Sequence, residues 1–182
     1  VFELTGRLFA TNKPRFVLVH VVSPHPPFVF DEDGQVVSND WRTSDGSHFM
    51  QEGGTLKEYE EGYRRQVQFV AKKVLETIDK VYAQNLRDTV FIVQSDHGPK
   101  SRLDYESLEQ TDLNECLPIL SAVGGPPELM SKFYDDMTPV NTFRIVFSNI
   151  KKDKMPLLKD KSYYTTWDRP YDFIEATDLV KK

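Results

Sequence analysis

A chain of 182 residues, 39% hydrophobic and 28% charged, has the size and make-up of one globular domain, 1–182, large enough to bury a core unaided. Its formal net charge of −5, with basic residues scattered or only paired (Arg64-Arg65, Lys72-Lys73, Lys151-Lys152), excludes the basic footprint of a nucleic-acid or anionic-lipid binder. The one cysteine, Cys116, excludes an intrachain disulfide, and no apolar run reaches the roughly 18 residues of a membrane span.

In chain order, Phe16-Val17-Leu18-Val19-His20-Val21-Val22 predicts a strand buried on both faces, as in a parallel sheet. It stops at Ser23-Pro24-His25-Pro26-Pro27, because proline cannot donate to a ladder. Residues 28–54 are polar and glycine-rich, and so long a connection predicts a functional loop or lid. Thr55-Leu56-Lys57-Glu58 fits a capping box. Behind it Leu56, Tyr59, Tyr63, Val67, Val70, Val74, Ile78 and Val81 recur at steps of three and four. That stripe predicts a long amphipathic helix ending near Asn85, with Glu60, Glu61, Arg64, Arg65, Lys72 and Lys73 towards water.

Thr89 to Val93 predicts a second strand, and strand, helix and strand in succession predict a βαβ unit with parallel strands. Pro118 to Val123, closed by Gly124-Gly125-Pro126-Pro127, predicts a short third strand. Thr138-Pro139 opens a second helix through Phe147, with threonine capping and proline in the first turn. After Lys151, charges alternate with Tyr163, Tyr164, Trp167 and Tyr171, which predicts irregular packing. The expected fold class is α/β, a layered sandwich around a mostly parallel sheet.

The chemistry gathers where the apolar runs stop. Ligands of open α/β sheets sit beyond the carboxyl ends of the strands. The first predicted strand ends at His25 and the second at Asp96-His97, so parallel strands are expected to bring one carboxylate and two imidazoles to one rim. A carboxylate oxygen and a neutral imidazole nitrogen are good donors to a divalent cation. Asp96 and His97 are therefore the candidate metal ligands, with Gly98 allowing the sharp turn. His25 is the substrate-facing candidate, either as a further ligand or as donor of a proton or hydrogen bond to a bound oxyanion. In the competing reading Asp96 caps a helix and His97 fills a turn.

Other residues take plainer expectations. His20 is expected in the core and His48 on the long loop. Asp31-Glu32-Asp33-Gly34 lacks the spacing and terminal glutamate of an EF-hand and predicts a turn. Cys116 is expected to be a structural thiol, and Lys100 and Arg102 are expected to be surface charges.

Three blocks carry a resemblance: "PRFVLVHVVSPHPPFVFD" from Pro14 to Asp31, "YRRQVQFVAKKVLETID" from Tyr63 to Asp79, and "TVFIVQSDHGP" from Thr89 to Pro99. With them the chain resembles the sulfatase-like branch of the alkaline phosphatase superfamily, through "MTPVNTFRIVFSN" and "RPYDFIEATD" as well. The resemblance implies a metal-dependent hydrolase or transferase of phosphate or sulfate esters, using a divalent metal ion (Zn, Mn, Mg or Ca). It implies Asp96 and His97 as metal ligands and His25 on the substrate-facing wall. Relatives of this branch include membrane-anchored enzymes working outside the cytoplasmic membrane, which implies an extracytoplasmic setting and a membrane contact only through segments not in this chain.

The family places its nucleophile and further acidic ligands before the proline-histidine block, where this chain has only Thr5 and Thr11 without an acidic strand. The chain also opens on Val1 rather than Met. The expectation is therefore the carboxy-terminal part of an alkaline-phosphatase-like catalytic domain, lacking the nucleophile and inactive alone. The alternative is a non-catalytic binding or scaffold domain that kept the fold.

Overall fold

In the computed structural model the chain is described at Phe2 and over residues 14–37, 49–50, 52–84, 89–151 and 153–180. It divides into two compact units, Val1–Leu86 and Arg87–Lys182. The expected helix stop at Asn85 and the loop residue His48 lie outside the described residues.

The first unit is built on helix α1, Leu56–Tyr82. Its start is the expected capping box: Glu58 N donates to Thr55 Oγ1 at 3.2 Å and Thr55 N donates to Glu58 Oε2 at 2.8 Å. The inward face buries Tyr59 and Val81 and half-buries Leu56, Tyr63, Val70, Val74 and Ile78, while Val67 lies further out. Across it lies the proline-rich segment, whose Phe28 meets Tyr59 edge-on at 5.2 Å between ring centroids. Phe49 closes the cluster at 5.6 Å from Phe28 and 5.7 Å from Tyr59. Glycine inside a helix lowers its stability by roughly 0.5–1 kcal/mol relative to alanine, so Gly62 needs a reason. A Cβ there would run into the Phe28 ring.

The expected strand at Phe16–Val22 is corrected. No ladder is described there, and Phe16, Leu18 and Val22 are 74%, 79% and 66% exposed. Apolar, β-branched composition suits a strand, but a strand exists only through a paired neighbour. His20, expected in the core, is exposed for the same reason. Asp31–Gly34 is a turn as expected: Asp31 Oδ1 accepts from Asp33 N and Gln35 N, and Gly34 takes a φ of 81°.

The second unit begins with strand β1, Phe91–Gln94, and a short helix α2, Leu113–Cys116. Strand β2, Ser121–Gly124, pairs antiparallel with β1, from Phe91 opposite Gly124 to Gln94 opposite Ser121. This strand starts three residues later than the expected one, since Pro118 has no N–H to give. Helices α3, Pro127–Met130, and α4, Pro139–Lys151, follow. Leu129, Ile145 and Val146 are buried, with Val90, Ile92, Phe133 and Met137 packed around them.

A second small core joins Leu113, Tyr164 and Ala176 beside the short antiparallel pair β3, Tyr163–Tyr164, and β4, Ile174–Glu175. Both sheets described are two-stranded and antiparallel, so the parallel βαβ pairing is not among the described strands. Thr138 also departs from expectation. Its N and Oγ1 both donate to Asp160 Oδ1 at 2.7 Å, tying the chain's later segment to the start of α4.

Candidate functional site

β1 ends because its neighbour does. Ser95 N still donates to Leu120 O at 3.0 Å, and Ser95 Oγ accepts from Leu120 N at 3.0 Å. Beyond Ser95 the chain leaves the sheet, and Asp96 and His97 stand at its tip. Gly98 then turns under α2, where its N donates to Cys116 O at 2.9 Å. It is buried, and a Cβ would run into Glu115 O and approach Pro118 O to 2.7 Å. Only glycine fits that space.

The Asp96 side chain is 88% exposed and that of His97 is 34% exposed, with Oδ2 and Nε2 3.5 Å apart. His97 Nδ1 lies 2.6 Å from Gly98 O. A carbonyl oxygen only accepts, so Nδ1 carries the hydrogen and neutral His97 keeps its lone pair on Nε2. A backbone carbonyl commonly orients metal-binding histidines in this way. Two donors each about 2.1 Å from one ion at a tetrahedral angle stand about 3.4 Å apart. The pair therefore fits two corners of a divalent-metal site in chemistry and in spacing. Among the described residues no group of three or more His, Cys, Asp and Glu side chains converges to complete one.

The segment after the pair is held by Glu115 of α2. Its carboxylate accepts from Arg102 N at 2.8 Å and from Ser101 Oγ, and Arg102 Nη1 lies 3.5 Å away. Arg102 is thus tied to the scaffold, and both it and Lys100 are exposed, as expected of surface charges. Cys116 is buried without a disulfide, and burial, with Glu115 and Asp112 nearby, pushes its thiol up to about 11. A thiol so far from ionising is a structural one.

His25 belongs to the first unit and the Asp96-His97 pair to the second, and each is described within its own unit. His25 is half-buried, and its Nδ1 donates to Pro26 O at 2.5 Å, so Nε2 is again the nitrogen left for chemistry. Its backbone N donates to Val22 O at 3.0 Å. The bonds Ser23–Pro24 and Pro26–Pro27 are cis.

Sequence reasoning passed over Gln66. It is fully buried in the middle of α1, and its amide touches four backbone groups of the segment that carries His25. The signal was present: Gln66 stands three residues after Tyr63 and seven after Tyr59, a polar side chain on the apolar stripe.

Searches of curated proteins and of solved structures returned no significant match. The family model described as Sulfatase matches residues 4–169, nearly the whole chain and the whole of the strand-tip motif. The chain therefore belongs to the sulfatase family, with its α/β fold, among the hydrolases of the alkaline phosphatase superfamily.

Proposed function

We propose that the protein is a metal-dependent hydrolase of sulfate esters, with phosphate esters as the chemical neighbour. Asp96 Oδ2 and His97 Nε2 are two of the donors to a divalent ion, and His25 contacts the oxyanion or leaving group of the ester. The observation that carries this reading is the 3.5 Å separation of Asp96 Oδ2 and His97 Nε2, with the other ring nitrogen committed to Gly98 O. When bound, the ion supplies a Lewis acid for the charge that builds on the ester oxygens. Asp96 brings the negative charge that holds a cation, and His97 brings a lone pair oriented by the carbonyl of Gly98. His25 offers Nε2, which as a neutral ring accepts a proton and as imidazolium donates one. The nucleophile, a threonine, serine or modified cysteine in this family, is not among the residues assigned. We further propose that this chain is part of a longer catalytic domain that supplies it.

The test is Asp96→Ala in the full-length protein, assayed on p-nitrophenyl sulfate with and without a chelator. The expected result is metal-dependent hydrolysis in the unaltered protein and its loss in the variant. Unchanged hydrolysis in Asp96→Ala removes the ligand assignment. No hydrolysis in the unaltered, metal-loaded protein favours a binding domain that has kept the fold without the chemistry.

A further inference from the structure

We propose that Gln66 is a positioning residue for His25, fixing the loop that presents the imidazole; this rests on the reading of His25 as the substrate-facing group. Gln66 Oε1 accepts from Val29 N at 2.8 Å and from Phe30 N at 3.2 Å. Its Nε2 donates to Pro24 O at 3.3 Å and to His25 O at 3.4 Å. All four partners lie in one short loop and bracket His25 on both sides.

Backbone bonds hold that loop at its ends, where His25 N donates to Val22 O and Val29 O accepts from Val37 N, both at 3.0 Å, but its proline-rich middle has few donors of its own. Prolines at 24, 26 and 27 have no N–H, so half of the ladder chemistry available to other segments is missing. A side-chain amide is the group that can serve freed carbonyls and free amides together, because it both donates and accepts. Placing such a group in a fully buried helix position is unfavourable unless its hydrogen bonds are made. Leucine or methionine would satisfy the α1 stripe more simply, and would leave Val29 N, Phe30 N and the two carbonyls without this partner. The Phe28 ring, seated over Gly62 and against Tyr59, pins the same loop from its apolar side. What remains adjustable is the His25 ring, and its Nδ1 bond to Pro26 O depends on the backbone that Gln66 holds.

The experiment uses the full-length protein with three variants: Gln66→Leu, His25→Ala and both together. The readouts are kcat and KM on p-nitrophenyl sulfate and the ring-nitrogen NMR signature of His25. In the unaltered protein His25 is expected as the Nδ1–H tautomer. In Gln66→Leu the signature is expected to average between tautomers, and kcat to fall about 100-fold, the scale of a displacement near 1 Å, with KM little changed. On the His25→Ala background Gln66→Leu is expected to add less than about twofold, because residues acting as one unit are not additive.

Should Gln66→Leu fail to fold, Gln66→Met replaces it, an unbranched, adaptable apolar side chain that likewise lacks the amide. Its expected loss is again about 100-fold, because the same four backbone contacts are gone. An unchanged His25 signature in a folded Gln66 variant, or a full second loss on the His25→Ala background, overturns the proposal. Full activity in His25→Ala overturns the substrate-facing reading instead, and the NMR signature then decides Gln66 by itself.

Discussion

Gly98 carries more of the candidate site than its size suggests, because the space for any other side chain is occupied by the carbonyls of α2. Gly98→Ala must push Glu115 O or Pro118 O aside, a backbone displacement rather than a rotamer change. Overpacking of this kind lowers stability by about 1–3 kcal/mol, read as a lower denaturation midpoint at unchanged slope. Hydrolysis is expected to fall further than stability, since the displaced turn is the one that orients His97 through Gly98 O. Gly125 is the internal control. Its added Cβ would find nothing nearer than 3.5 Å, so Gly125→Ala is expected to stay within about 0.5 kcal/mol. Equal effects at the two positions would refute the steric account of Gly98.

Among the elements, α1 shows how far pattern reading reaches. A helix of 27 residues repeats its message through many turns, and the capping box adds a local start signal. Thr55→Ala removes the acceptor for Glu58 N and is expected to lower stability by about 1 kcal/mol, about 2–4 °C in Tm for a chain of this length. Thr55→Ser keeps the oxygen, and its Tm is expected to stay near the parent value; equal losses would show that the cap contributes nothing. The segment Phe16–Val22 fails as a strand for the converse reason. Its composition speaks of burial, but pairing is a property of two segments, and one segment's text names no partner.

The site divides in the same way. The position of Asp96 and His97 at a strand tip was legible, because an apolar run that breaks into acid, imidazole and glycine marks one. The Cys116 thiol was legible as structural. Gln66 was not, because a polar residue on an apolar stripe reads as a flaw until its four backbone partners, some forty positions earlier, are known. Thr138 misled for a related reason, its hydroxyl being drawn to Asp160 across 22 positions rather than to its own helix.

For the whole molecule, the dependence of stability on pH follows from a few buried or tied groups. Burial pushes the Asp160 carboxyl up, but hydrogen bonds from Tyr134 Oη, Thr138 N and Oγ1, and Asn141 Nδ2 outweigh it, leaving the group below the ordinary aspartate range. A folded-state value below the unfolded one adds stability at neutral pH and loses it as pH falls from about 4 through the folded value. Glu61, Glu76 and Glu175 are lowered too, by hydrogen bonds from Arg64, Lys73 and Lys161, but these pairs lie in solvent and are screened. The acid limb is therefore expected to flatten in Asp160→Asn and to survive added salt.

The alkaline limb has the opposite sign. The Cys116 thiol is raised to about 11 by burial, so the unfolded chain ionises first, near 8.5, and stability falls as pH climbs between the two values. Tyr134, held up by its hydrogen bond to Asp160, adds to the loss above about 10. Urea midpoints measured from pH 3 to 11 should form a dome, and Cys116→Ala should flatten only its alkaline side. Parallel alkaline limbs in parent and variant would mean that the thiol ionises in the folded protein as easily as in the unfolded chain, and would refute burial as the cause of the shift.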